Sequence, residues 1–162
     1  MISSEKLATY SNQLNLTFNA LIALPLLAFI YLYLETTQGD LLAIVVEERL
    51  SWILIAVIFA LSAVMTFFAF FGFRRQLAQR PADADLWSKL VFYKPLVLRH
   101  YFMLVLALCL MVIGFYFSQS RWFLVGFVMV MVALARNRPS WDRIAKNLQL
   151  DPQERRQVMK KE

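Results

Sequence analysis

Polar and apolar positions along this chain segregate into blocks rather than mixing. Apolar runs at about 16–34, 50–73, 96–117 and 122–135 alternate with polar connectors. The second run is decisive, because the 24 residues between Arg49 and Arg74 carry no ionised side chain. At about 1.5 Å of rise per residue, a helix of that length outspans a hydrocarbon core about 30 Å thick. The pattern predicts an all-α integral membrane protein with four transmembrane helices arranged as two hairpins.

The flanking segments predict further helices. Before the first span, residues 3–15 place Leu7, Tyr10 and Leu14 at helical spacing, with Glu5, Lys6, Asn12 and Gln13 elsewhere. That spacing predicts a helix lying in the membrane interface. Before the third span, Asp85 is a candidate cap for a short interfacial helix. Leu86, Trp87, Leu90 and Tyr93 form its apolar face, Lys89 and Lys94 form a polar flank, and Pro95 separates it from the span. The two arms are weakly alike, Lys6-Leu-Ala-Thr-Tyr10 against Lys89-Leu-Val-Phe-Tyr93, as a parallel repeat of two hairpins would require.

Beyond Arg138-Pro139 the apolar runs stop. The chain is therefore divided into a transmembrane domain, 1–138, and a basic helical tail, 139–162. Ser140 is the expected cap of a helix reaching Leu150, with Trp141, Ile144, Ala145 and Leu148 on one side. Asp151-Pro152-Gln153-Glu154 then carries the cap, first-turn proline and acidic third position of a second helix start.

Charge adds an orientation. If the spans alternate, fifteen of the 17 basic residues fall on one side, leaving Arg49 and Arg121 on the other. Lys and Arg are retained in the cytoplasm during insertion, so both termini are expected there, in a multi-pass protein of the cell membrane, bacterial inner membrane by preference. The net charge of +6 raises nucleic acid as a partner. The basic residues cluster beside span ends, however, without aromatic stacking platforms or a binding motif, so anionic lipid headgroups are the expected partner and nucleic acid is not.

Candidate chemistry is sparse. Dinucleotide, P-loop and zinc-hydrolase motifs are missing from the sequence, the lone Cys109 can form no intrachain disulfide, and the lone His100 cannot supply paired haem ligands. No cofactor or metal is expected, and an enzyme is disfavoured. The spans contain no ionisable residue at mid-depth of the kind that couples transport to ions. Their mild polar groups, Asn15, Thr17 and Asn19 in the first span region and Ser62 and Thr66 in the second, are candidates for helix contacts or a pore lining. Arg99 and His100, at the start of the third span, form a candidate headgroup or proton site.

The fourth span is short, with 14 residues between Arg121 and Arg136, and shielding by a partner would relieve the mismatch. The leading expectation is a non-enzymatic accessory, assembly or scaffolding subunit of a membrane complex. The alternative is a small homo-oligomeric channel or carrier, in which Glu35, Asp40, Glu47 and Glu48 give an acidic outer vestibule.

Overall fold

A computed structural model describes residues 4–38, 47–81 and 84–159. Asp40 of the acidic vestibule, residue 3 of the first arm and residues 160–162 of the basic tail lie outside the described residues. Six helices and no strand are present among those described: α1 (Ser4–Gln38), α2 (Glu48–Leu77), α3 (Leu86–Ser118), α4 (Arg121–Arg136), α5 (Trp141–Leu148) and α6 (Pro152–Met159). By length and composition α1, α2 and α3 each suffice to cross a membrane. The 16-residue α4 qualifies only together with α5, from which it bends by 76°. Three or four candidate spans are consistent with a multi-pass membrane protein.

The bundle is organised around α3. Of its most apolar stretch 56 % is buried, against 17 % for α1 and for α2. A helix apolar all round becomes a central post, whereas a helix with one packed stripe leaves its other faces to the surroundings. Thus α1 packs on α3 rather than forming a tight hairpin with α2, and α2 and α4 pack on α3 as well.

Side-chain contacts fix the directions. Tyr10 donates to the Leu90 carbonyl at 2.9 Å, Phe18 meets Tyr101 with ring centroids 4.9 Å apart, and Phe29 meets Phe115 at 5.1 Å, so α1 and α3 run parallel. Phe73 lies beside Tyr93 at 6.2 Å and Phe70 beside His100 at 4.9 Å, which makes α2 antiparallel to α3. Tyr101 donates to the Asn137 carbonyl at 2.6 Å, while Phe123, fourteen residues earlier, packs on Gly114 of α3. Hence α4 is antiparallel too. The starts of α1 and α3, the ends of α2 and α4, and the tail all gather at one end of the bundle.

Two interfacial helices expected from the sequence are not separate elements. The first arm is the beginning of the 35-residue α1, and the second is the beginning of the 33-residue α3, which runs unbroken through Pro95 as α1 does through Pro25. An interior proline costs a helix about 3 kcal/mol. Here the buried stripe continues on both sides of it. Leu90 and Tyr93 precede Pro95 and Leu96 and Val97 follow, all buried, so packing overrides the local break. In α1 the arm's Leu7, Tyr10 and Leu14 are buried with Phe18 in one core and are not laid against a membrane surface. At the start of α3 the Asp85 carboxylate accepts from the Ser88 hydroxyl at 2.5 Å instead of capping a backbone amide, and that bond holds it below the usual carboxylate range.

The tail is docked. Trp141 stacks on Tyr10 with centroids 6.1 Å apart, and Ile144, Leu148 and Val158 join the same buried cluster. Ser140 accepts from the Arg143 amide at 3.4 Å, as its position predicts. The helix ends at Leu148 rather than Leu150 because Gln149 turns left-handed (φ 50°), allowing the Leu150 amide to close back on the Ala145 carbonyl at 3.0 Å. Before α6 the Asp151 amide donates to the Glu154 carboxylate at 3.1 Å, the backward half of a capping box. Lys89, expected on the polar flank of an interfacial helix, is buried and paired with Glu154 at 3.0 Å.

Candidate functional site

Two recesses bordered by α2 involve residues singled out from the sequence. The first lies between α2 and α3, toward the end of the bundle that carries the tail, and encloses about 370 Å³. Its polar part is formed by Gln76, Arg99 and His100, and its apolar part by Val64, Phe68 and Met103. Adjacent in sequence, Arg99 and His100 share this recess in different settings: Arg99 is exposed, and His100 is 5 % exposed among Phe70, Phe73 and Tyr101.

The His100 Nδ1 lies 3.0 Å from the Ala69 carbonyl. A carbonyl can only accept, so Nδ1 carries the hydrogen, and in the neutral ring Nε2 is then a bare acceptor. This nitrogen has no hydrogen-bond partner among the described residues, yet it is not sealed off, so it opens toward the recess that the ring lines. Gly72, on α2, also lines the recess. A Cβ built there would meet nothing within 4 Å, so no neighbouring packing requires the glycine.

The second recess is a shallower groove of about 410 Å³ between α2 and α4, lined by Ser62, Ala63, Thr66, Gly126, Met129 and Ala133. It is almost wholly apolar apart from the hydroxyls of Ser62 and Thr66. Ser62 is 2 % exposed and its hydroxyl has no hydrogen-bond partner, the one such fully buried side-chain atom among the described residues. Leaving a hydroxyl unpaired in an apolar setting costs about 1–3 kcal/mol. Gly126 keeps the groove's wall close, since a Cβ there would lie 2.7 Å from the Met111 sulfur and 2.8 Å from the Phe59 ring.

The α1 polar residues belong to neither recess. Thr17 donates back to the Gln13 carbonyl of its own helix at 2.8 Å, Asn15 donates to Ser11 at 3.4 Å, and Asn19 is exposed. Asn15 adjoins a separate polar hollow beside Arg136, Arg138 and Arg143. The five residues expected to share a contact surface or pore lining are therefore divided between α1 and the α2/α4 groove. Among the described residues no cluster of three or more His, Cys, Asp or Glu is placed to hold a metal ion.

Sequence reading passed over Gln76 and Gly72 at the first recess. Their signal is faint: Gly72 is a glycine in an otherwise bulky helix, and Gln76 a lone neutral polar residue just past Arg74 and Arg75. No family model, curated protein or solved structure gives a significant match to this chain.

Proposed function

We propose that the protein is a non-enzymatic subunit of a membrane complex, whose α2/α4 groove receives a transmembrane helix of a different chain. The Ser62 hydroxyl carries this reading. It is buried, unpaired and flanked by the small residues Ala63, Gly126 and Ala133, as in membrane interfaces where close backbones and an interhelical hydrogen bond supply the association energy. A χ1 rotation that turned the oxygen into the groove would let a donor or carbonyl from an incoming helix satisfy it, at a gain of about 1 kcal/mol. The partner helix would also cover α4, whose 16 residues make it the shortest of the apolar helices.

In this reading the protein sits in the cell membrane, bacterial inner membrane by preference, with both termini in the cytoplasm. The charge asymmetry supports that side, and the gathering of both arms and the tail at one end of the bundle supports a common side for the termini. The lining of a homo-oligomeric channel is the competing reading, weakened by the separation of the α1 polar residues from Ser62 and Thr66.

A photo-crosslinking residue at Met129, facing the groove, tests the proposal in native membranes. Stoichiometric attachment to one foreign membrane chain, lost when Ser62→Leu fills the groove, is the expected result. An adduct of twice the chain's own mass would refute it in favour of self-association, and bilayer conductance would then be the next measurement.

A further inference from the structure

The α2/α3 recess has a shape and polarity that the accessory reading does not use. From Val64 to Gln76 the lining extends over thirteen residues of α2, about 18 Å along the helix axis. Polarity changes along that length. Val64, Met65 and Met103 mark the apolar end, deeper in the span, and Gln76 and Arg99 mark the polar end, toward the tail. No acidic side chain lines the recess. A slot that is apolar at membrane depth and basic at its mouth fits an amphiphile standing along the bilayer normal.

Two features narrow the headgroup. Arg99 offers a fork of donors suited to phosphate oxygens, and Gln76 can add an amide N–H beside it. His100 offers the reverse: with Nδ1 committed to Ala69, the open Nε2 seeks a hydrogen-bond donor. A ligand that satisfies both must carry an anionic phosphate and a hydroxyl. We infer that the α2/α3 recess binds an anionic phospholipid with a hydroxylated headgroup, of the phosphatidylglycerol class. Its phosphate lies against Arg99 and Gln76, its headgroup hydroxyl donates to His100 Nε2, and an acyl chain fills the slot toward Val64. Gly72 leaves the space this chain needs.

The full-length protein in nanodiscs tests this directly. Native mass spectrometry is used to read which lipid stays bound when phosphatidylglycerol and phosphatidylcholine are supplied in equal amounts. One retained phosphatidylglycerol per chain is expected, with a preference of about ten-fold, the worth of a charge-assisted contact. Arg99→Gln should reduce that preference to about two-fold or less. Gly72→Phe should abolish retention, since a side chain begun in open space there would occupy the slot. If that variant misfolds, Met103→Trp closes the same slot from α3 and should have the same effect. Equal retention of the two lipids, or undiminished retention in a slot-filling variant that folds, would overturn the inference. Displacement of the lipid by free glycerol 3-phosphate would also overturn it, by showing that the site takes a soluble phosphate and not a membrane lipid.

Discussion

The Lys89 ammonium lies 3.0 Å from both carboxylate oxygens of Glu154, joining the first turn of α3 to a tail helix 65 residues later. Neither side chain is freely solvated: 8 % of the lysine and 19 % of the glutamate side chain is exposed. Such a pair adds little over an apolar substitute, but removing one member strands the other. Glu154→Gln should loosen the docked tail by about 2–3 kcal/mol, and the swap Lys89→Glu with Glu154→Lys should recover most of that. Faster amide exchange in α6 for the single variant, reversed in the double, is the expected pattern.

Trp141 carries the apolar side of the same docking. Truncating a buried aromatic costs about 3–5 kcal/mol, so Trp141→Ala should free α5 and α6 to protease while leaving α1 to α4 intact. Tyr10→Phe keeps the stacking ring and removes only the bond to the Leu90 carbonyl, about 1 kcal/mol. Limited proteolysis of the two variants in detergent should rank them in that order. Equal cleavage would mean that ring stacking contributes little.

Gly114 permits the close approach of α3 and α4, because a Cβ there would overlap the Phe123 ring. Gly114→Ala should destabilise the bundle by about 1–3 kcal/mol through overpacking. Adding Phe123→Leu should relieve part of the loss. Thermal unfolding of the single and double variants in the same micelle measures both effects.

The orientation can be read chemically. In a Cys109→Ala background, cysteines placed at Gln79 and Gln153 should react with an impermeant maleimide from the cytoplasmic side. Those at Glu47 and Arg121 should react from the opposite side. All four positions are exposed in the fold. Labelling of Gln79 and Gln153 from different sides would contradict the alternating arrangement.

The helices were legible because apolar length is a direct statement about a hydrocarbon solvent, and the tail helices because Ser140 and the Asp151 to Glu154 box announce themselves locally. What the sequence hid was lateral. The stripe Leu7, Tyr10, Leu14 is equally compatible with lying on headgroups and with packing on a neighbour, and only the partner helix decides between them. Pro95 signals a break whose cost is offset by burial on both sides, and no local rule weighs that balance. Lys89 is charged and reads as part of a polar flank, because the carboxylate that pairs with it is 65 positions away. Ser62 was legible as polar within a span but not as unpaired, since that depends on what α4 fails to offer. Arg99 and His100 are adjacent in the sequence, whereas the slot they line is made with the opposite wall of α2.

Tyr10 in α1 and Trp141 in α5 are 131 residues apart, and their stacking brings both helices to one end of the bundle. The seat of α5 thus depends on how the helices before it have packed. A chain in which α1 failed to pack on α3 would leave Trp141, Ile144 and Leu148 without a seat, whereas the folded bundle hides the same residues.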